Sequence, residues 1–221
     1  MNRVAKSLSN KLWNQYLGRA RILRFKKSES IIMQGDELEN IYIIKSGVVR
    51  VYDITAEGEE RTVALDIEGE IFPIGLALGM IQKSQYFYQA QTDCEVYSIR
   101  KLDFLRYLRF HPKIAMSFYK DLAEDFVGLQ SRILALEQTK ASSKILLTLS
   151  YLAERFGKQV GSNTTEIQIP LTQQEIANFI GLTRETTSTE LKKLETSKII
   201  RCTKKHYSLN QSKLQDAINQ I

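Results

Sequence analysis

The chain has 221 residues, of which 43% are hydrophobic and 25% charged, a composition typical of a globular protein with a sizeable core. It has no uninterrupted apolar run of roughly eighteen residues, so the sequence predicts no transmembrane helix, and we expect no membrane partner. No apolar segment follows the basic start at residues 1–6, so we expect a protein that stays in the cytoplasm.

Cysteine and histidine are sparse. Cys94 and Cys202 are far apart and form no CxxC motif, and His111 and His206 are equally isolated. Two cysteines cannot supply the four ligands of an iron–sulfur cluster, and solitary histidines do not converge on a metal or a haem. We expect reduced thiols, surface histidines and no cofactor, and any small-molecule effector is unknown.

The formal net charge is +6, and most of the excess lies in the last third of the chain. Residues 140–221 hold 12 Lys and Arg against 7 Asp and Glu, whereas residues 1–139 hold 19 against 18. A basic region of this kind is expected where a protein meets phosphate. A solvated basic face would have the same charge, so charge alone leaves both interpretations open.

Short β-prone runs alternate with turn signals from Arg21 to about Arg100. The runs at residues 31–33, 41–44, 48–52 and 62–65 each lead into a glycine turn, and these glycines recur every eleven or twelve residues. Such regular spacing predicts an antiparallel sandwich or barrel rather than βαβ units. The four turn glycines are Gly35, Gly47, Gly58 and Gly69.

After Pro112 the hydrophobic period changes from two to 3.5, which predicts a helix over residues 112–138. Its charges, among them Asp125 and Arg132, lie off the apolar seam. A helix packed on its own domain would also be amphipathic, but a period of 3.5 kept to the end favours a homodimer helix. The predicted interface is Ala115, Tyr119, Leu122, Phe126, Leu129, Ile133 and Leu136.

A hinge at residues 138–143 and a second amphipathic helix from about Lys144 to Phe156 are expected next. Further along, Thr172 and Glu175 have the spacing of a capping box, and Gly181 is suited to end that helix in the left-handed conformation. Thr183 is placed to cap another helix directly afterwards. Two short helices joined by a glycine turn predict a helix-turn-helix.

On the second of these helices, Thr187, Leu191 and Leu194 share one face that we expect to lie in the core. Residues 197–209 then predict a two-stranded wing with a basic tip. A purely structural helical hairpin would not require caps, a turn glycine and a basic wing together, so we expect contact with double-stranded DNA. The polar face opposite the core carries Arg184, Glu185, Ser188, Thr189 and Lys192.

With these motifs in place, the chain from about Arg21 to Tyr207 resembles the CRP/FNR family of bacterial transcription regulators. The resemblance rests on the turn glycines, the long helix, the hinge, and the stretches 171–176 and 183–186. It implies an α+β fold with an antiparallel, jelly-roll-like β-roll effector domain at residues 1–111. A dimerisation helix at 112–138 and a winged helix-turn-helix at 139–221 would follow, in a homodimer that binds a palindromic operator and RNA polymerase.

The resemblance also implies roles for single residues. Arg184 and Glu185 occupy base-reading positions, for a guanine and a cytosine respectively, whereas Thr189 stands where many members carry a base-reading arginine. The positions that contact phosphate or cap helices are Thr172, Gln174, Thr183, Thr186 and Lys192. The full predicted DNA-binding set adds Ser188, Lys204 and Lys205.

The effector region departs from the family pattern, in which a glutamate and an arginine hold a cyclic nucleotide. Ile74 stands in place of the glutamate, and Ser84 and Gln85 stand in place of the arginine pair. Lys83, if on a strand, would point to the opposite face. We therefore do not expect cyclic AMP as the effector. A pocket for a less charged ligand and a filled core remain alternatives, at Phe72, Ile74, Gly75, Ser84, Gln85, Tyr86 and Tyr88.

Transcription regulation is the leading functional hypothesis. The alternative is a cyclic-nucleotide-binding-like module that regulates a partner protein, with the winged helix as a protein-interaction domain. A basic wing and a polar helix face favour DNA. The chain contains no P-loop, GxSxG or HExxH motif, so we do not expect an enzyme.

Overall fold

The computed structural model describes residues 11–221, in two compact units that meet in sequence between Ala123 and Glu124. The basic segment at residues 1–6, which entered the expectation about localisation, lies outside the described residues. Within residues 11–221 no helix combines the length and apolarity needed to cross a bilayer.

The first unit is built on two four-stranded sheets in which the paired strands are antiparallel. The strand orders are β1-β8-β3-β6 and β2-β7-β4-β5, which confirms the predicted antiparallel architecture. The strands are β1 (Arg21–Phe25), β2 (Ser30–Ile32), β3 (Asn40–Ser46), β4 (Val48–Ile54), β5 (Glu60–Ile67), β6 (Ile71–Phe72), β7 (Phe87–Ala90) and β8 (Cys94–Arg100). The helices are α1 (Lys11–Leu17), α2 (Ile74–Ala77) and α3 (Lys101–Phe110).

Gly47, between β3 and β4, shows why glycine recurs at these turns. Its φ is +95°, and a Cβ atom placed there would lie 2.4 Å from the carbonyl oxygen of Asp93. A side chain would therefore meet both backbone strain and a steric clash. Positive φ also occurs at Gly35, Gly58 and Gly69, as the turn spacing predicts.

The alternation of side chains along β3 divides the first unit's core into two layers. Ile44 faces the space between the two sheets, where it packs with Val49 and Val51 of β4. Ile41 and Ile43 face the helices instead, and their cluster includes Phe104 of α3.

A single helix, α4 (Pro112–Leu136), follows α3 and confirms the helix predicted from the change of period. It ends two residues before the predicted limit of 138. Near its start, Phe118 joins the helix-side core of the first unit.

The second unit contains one four-stranded sheet, in the order β11-β12-β10-β9, together with helices that include the predicted pair. The hairpin β9–β10 and the last helix were not predicted. The elements are α5 (Ala141–Phe156), β9 (Gly157–Gly161), β10 (Thr164–Ile167), α6 (Gln173–Ile180), α7 (Arg184–Thr196), β11 (Ile200–Thr203), β12 (His206–Asn210) and α8 (Gln211–Ile218).

The predicted hinge at residues 138–143 was wrong in its second half. Residues 141–143 form the first turn of α5, which begins three residues earlier than expected. Ser143 is buried there, at 7% exposure. Tertiary packing therefore decides the helix start, in a stretch whose serines suggested a loop.

Candidate nucleic-acid interface

The first helix of the predicted motif, α6, has the capping box expected from its sequence: Thr172 is the N-cap and Glu175 is the third helical residue. Gly181 ends α6 at φ 70° and ψ 35°, and its N–H donates to the Ala177 carbonyl at 2.9 Å. Ala177 is fully buried, as expected for a small residue at a helix crossing. These features confirm the predicted helix and turn.

The second helix, α7, is capped and oriented as the sequence predicted. Thr183 Oγ1 accepts a hydrogen bond from the Thr186 N–H at 3.2 Å. Thr187 and Leu191 are buried, at 0% and 4% exposure, and Leu194 is partly buried. The opposite face is polar and accessible: Arg184, Glu185, Thr189 and Lys192 are exposed, and Ser188 is partly buried.

Thr189 already uses its hydroxyl proton within α7. Its Oγ1 donates to the Glu185 carbonyl at 3.0 Å. Only the acceptor lone pairs of the hydroxyl therefore remain for a base edge. On α6, Gln174 is exposed and donates to Asn178 Oδ1 at 2.7 Å.

The wing is an antiparallel hairpin of β11 and β12 that closes between Thr203 and His206. The two residues of its turn, Lys204 and Lys205, are exposed and have φ of 49° and 74°. The Lys205 carbonyl accepts a hydrogen bond from the Leu171 N–H at 2.9 Å. This bond ties the basic tip to the segment just before α6, so the wing and the helix pair form one structural unit.

A cleft of about 200 Å³ separates α7 from the wing. Lys192 and the exposed Cys202 lie along it, and the Cys202 N–H donates to Glu195 Oε1 at 3.3 Å. Glu195 is not in the predicted DNA-binding set. Its position three residues after Lys192 places both side chains on one face of the helix. The lining is Gln173, Ser188, Leu191, Lys192, Glu195, Ile200, Cys202 and Tyr207.

The predicted seam of α4 is only partly exposed. Ala115 and Leu122 pack partly against the first unit's core, and Leu136 is partly buried. The other four predicted residues expose large apolar side chains: Tyr119 at 53%, Phe126 at 63%, Leu129 at 44% and Ile133 at 54%.

In the region predicted for an effector, the residues of the predicted set differ in their exposure. Ile74 is 38% exposed at the start of α2, and Gln85 is exposed, whereas Ser84 is 4% exposed and donates from Oγ to the Tyr86 carbonyl at 2.7 Å. Gly75 lies against Ile81, which a Cβ would approach to 3.2 Å.

Lys83 does not lie on one of the sheet strands, so the condition under which it would point to the opposite face is not met. It lies in a loop before β7 and forms an isolated bridge with Glu37, and its Nζ is 3.1 Å from Glu37 Oε1. Ser84 next to it is anchored by backbone bonds to Asp36 and Gly35. The ammonium group is therefore held at the surface by a carboxylate.

Stacked aromatic rings fill the space between the two sheets. The Phe72 ring lies 5.4 Å from that of Tyr42 and 5.3 Å from that of Tyr88. Phe72 is 1% exposed, and burial raises the pKa of the Tyr88 hydroxyl, with a further rise from the negative charge of Asp66. None of the residues that the resemblance assigns to a cyclic nucleotide is a cation that could pair with its phosphate. Those residues therefore do not fit that ligand.

Within residues 11–221 no three His, Cys, Asp or Glu side chains are grouped so that they could hold a metal ion. Cys94 is buried, with its Sγ 3.2 Å from the Val48 carbonyl oxygen, and Cys202 is a free, exposed thiol.

An antiparallel β-roll, a long helix and a winged helix-turn-helix together define a DNA-binding transcription regulator rather than an enzyme. Residues 22–111 match the cyclic nucleotide-binding domain family, and residues 143–217 match the Crp-like helix-turn-helix domain family. The chain belongs to the CRP/FNR family of transcription regulators.

Two curated relatives illustrate the similarity. The chain is 30% identical to regulatory protein HlyX of Actinobacillus pleuropneumoniae over 187 residues, which are 84% of this chain and 76% of that protein. It is 31% identical to electron transport regulator A of Shewanella oneidensis over 178 residues, 79% of this chain and 69% of that protein.

The fold is shared with solved structures at lower identity. A CooA variant from Carboxydothermus hydrogenoformans gives a TM-score of 0.79 at 24% identity, over 99% of this chain and 96% of that one.

Proposed function

We propose that the protein is a homodimeric, cytoplasmic regulator that binds a palindromic operator through α7 and the wing, and that acts on RNA polymerase from there. The domains would be the β-roll at residues 1–111, the dimerisation helix at 112–138 and the winged helix-turn-helix at 139–221. The observation that carries the proposal is the pairing of an exposed polar face on α7 with two lysines at the wing tip.

The conformation of the wing tip supports a role for its charge. Two consecutive residues with positive φ form the kind of hairpin turn in which Asn-Gly is strongly preferred. Both Lys204 and Lys205 adopt this conformation in the turn that closes the hairpin, although it is unfavourable for residues with a side chain. Two lysines in these positions are explained if their ammonium groups bind phosphate.

The base-reading roles follow from position on α7. Arg184 and Glu185 lie in its first turn, where a recognition helix meets base edges in the major groove. An arginine there suits the O6 and N7 acceptors of guanine, and a glutamate accepts from the N4 amino group of cytosine. The positions that contact phosphate or cap helices would be Thr172, Gln174, Thr183, Thr186 and Lys192, with Lys204 and Lys205 at the wing tip and with Ser188 and Thr189 facing the groove.

The dimer proposal rests on the second half of α4. Phe126, Leu129 and Ile133 expose apolar side chains along one side of the helix, at spacings of three and four residues. A monomeric protein rarely exposes such a stripe, and a second copy of the same helix would cover it by seam-to-seam packing.

The effector, if there is one, is proposed not to be cyclic AMP. Ile74 and Ser84 provide neither the carboxylate for a ribose hydroxyl nor the guanidinium for a cyclic phosphate. The aromatic stack around Phe72 occupies the interior between the sheets. A less charged ligand that displaces part of this stack is chemically compatible with the region.

Selection from random duplex DNA tests the proposed function directly. The expected result is enrichment of an inverted repeat with half-site centres about 34 Å, or one helical turn, apart. An Arg184→Ala protein is the matched control, since it should recover sequences with one position relaxed. Absence of palindromic enrichment, or binding to heparin that does not respond to salt, would contradict the proposal and favour a protein partner for the winged helix.

A further inference from the structure

Arg132 in α4 is buried, although the sequence interpretation had placed it among the charges off the seam. It is 9% exposed, and one of its guanidinium nitrogens donates to the Phe179 carbonyl oxygen at 3.1 Å. The guanidinium carbon also lies 4.0 Å from the centroid of the Phe179 ring. The Arg132 side chain thus contacts both the backbone carbonyl and the ring of Phe179, which lies in the first helix of the helix-turn-helix.

The position of Phe179 makes this contact favourable. Its carbonyl is one of the last four of α6, which have no partner within an α-helix. The partial negative charge at a helix C-terminus attracts a cation, and the face of an aromatic ring does so too. Phe179 is itself fixed, since it is 4% exposed and stacks on Tyr151 of α5 at 6.1 Å.

A second contact, an ion pair, joins the same side of α4 to α5. Asp125 forms an ion pair with Arg155 of α5 at 2.6 Å, and the Arg155 side chain is only 13% exposed. Between the two links, Gly128 faces Tyr151: a Cβ there would be in ordinary van der Waals contact with the ring, at 3.7 Å. Spacings of three and four residues place Asp125, Gly128 and Arg132 on one side of the helix.

The exposed seam residues lie on the neighbouring side of α4. Phe126 follows Asp125, and Ile133 follows Arg132, so each link stands next to a residue of the proposed dimer contact. The orientation of the seam is therefore fixed relative to α6, and α7 begins only four residues after the end of α6.

We infer that Arg132 is a positioning residue for operator recognition: by fastening α6 to the dimer helix, it holds the two recognition helices of a dimer at one spacing. This inference rests on the proposed homodimer. When two linked recognition helices bind one operator, the second helix binds intramolecularly. The gain in affinity from this second contact depends on how well the geometry of the two helices is fixed. Loosening the link should therefore weaken binding to two half-sites while leaving a single half-site unaffected.

The test uses full-length protein and three duplexes: the selected operator, the same operator with one half-site scrambled, and operators whose spacing is changed by one or two base pairs. The main variant is Arg132→Met, which keeps the length of the side chain and removes its charge and donors. We expect its Kd for the full operator to rise about tenfold or more, and its preference for one spacing to weaken. Its Kd for the single half-site should stay within about twofold of the wild type.

Three further variants sharpen the result. Ser131→Met adds the same side chain at the exposed neighbouring position and should behave as wild type. Phe179→Leu keeps the carbonyl and an apolar side chain, so it should reproduce part of the effect. In a double-mutant cycle with Arg132→Met its effect on full-operator binding should be less than additive. Arg132→Lys keeps the charge but not the planar guanidinium group. Its Kd for the full operator should lie between those of the wild type and Arg132→Met.

The outcomes separate this inference from the proposed function. If the wild type is a monomer by light scattering and shows no preference for two half-sites, both fail. If the wild type prefers one spacing and Arg132→Met keeps that preference at unchanged affinity, only the inference fails. Equal losses on the full operator and on the single half-site would also overturn it, because Arg132 would then only maintain the fold of the reading helices.

Discussion

Thr172 and Glu175 exchange hydrogen bonds at the start of α6: the Glu175 N–H donates to Thr172 Oγ1 at 3.1 Å, and the Thr172 N–H donates to Glu175 Oε2 at 2.5 Å. Each bond satisfies a backbone donor that the helix cannot satisfy itself. We therefore expect Thr172→Ala to lower the free energy of unfolding by about 0.5–2 kcal/mol.

Urea unfolding of the full chain measures this effect. Thr196→Ala is the control, because its exposed hydroxyl donates only to the Lys192 carbonyl of its own helix. It should shift the midpoint much less. An unchanged midpoint for Thr172→Ala would show that the capping box contributes nothing to stability.

The helix-turn-helix could be predicted from the sequence because its determinants are local. The capping box spans four residues, and Gly181 and Thr183 act on their own helix ends. The period of 3.5 likewise identified α4, since it persists over several turns. Features of this kind need no knowledge of which distant residues come together.

The sequence predictions were wrong where contacts between residues far apart in the chain determine the structure. Arg132 is buried by Phe179, 47 positions later in the chain, and nothing near Arg132 in sequence indicates that partner. The loop that contains Lys83 is fixed by Glu37 and by backbone hydrogen bonds to Ser84, and these partners lie far from it in the sequence. The hinge was predicted too long because burial of Ser143 extends α5.

Removing Arg184, the arginine proposed to read a base, should relax one position of the operator. Arg184 is exposed in the first turn of α7, and we expect Arg184→Ala to weaken binding to the preferred operator by about 1–3 kcal/mol. The loss should be smaller on operators with another base pair at the guanine position. Fluorescence anisotropy on a panel of single-base operator variants measures both effects.

Lys193→Ala is the matched control for charge. Lys193 is exposed on the same helix but is paired with Glu190 at 2.6 Å, and it lies outside the predicted DNA-binding set. It should leave the base preference unchanged. If Arg184→Ala weakens binding to all operators equally, Arg184 contacts phosphate and not a base.

Changing the wing tip should move stability and DNA affinity in opposite directions. Lys205 has φ 74°, a conformation that costs about 1–2 kcal/mol for a residue with a side chain and little for glycine. Lys205→Gly should therefore raise the melting temperature. It should also weaken DNA binding and reduce the slope of log K against log salt by about one, because the proposed contact of Lys205 with a phosphate would be lost.

Lys198→Gly separates the two effects. Lys198 also has positive φ, at 57°, but it lies before β11 and outside the predicted DNA-binding set. It should gain stability without any change in salt slope. An unaltered salt slope for Lys205→Gly would remove the wing tip from the DNA interface.

A charge in the middle of the α4 seam should dissociate the proposed dimer. Phe126 is 63% exposed, and in Phe126→Glu two like charges would meet in the apolar contact of two copies. We expect a monomer at micromolar concentration by light scattering, with the fold of each copy retained. Gln130→Glu, also exposed on α4, is the control for charge and should remain dimeric. A monomeric wild type would contradict the proposed interface.

Cyclic AMP should bind weakly or not at all, because Ile74 and Ser84 stand where the family has the carboxylate and the guanidinium that hold it. The phosphate carries a full negative charge, and in a largely closed site it needs a cation or several N–H donors. Ser84 is buried and donates to the Tyr86 carbonyl, and Ile74 is apolar. An unpaired buried charge costs about 2–5 kcal/mol, and about 4 kcal/mol turns a micromolar Kd into a millimolar one.

Calorimetry on the unmodified chain measures its Kd for cyclic AMP directly. A micromolar Kd would prove the prediction wrong. The double variant Ile74→Glu with Ser84→Arg restores both partners. We expect its affinity to exceed that of the unmodified chain, whereas Ile74→Glu alone, which adds a like charge without the cation, should not gain. Since Ser84 is only 4% exposed, the melting temperature of the double variant is compared first. If it folds and still fails to bind, the Phe72–Tyr88 stack, and not the missing charge, excludes the nucleotide.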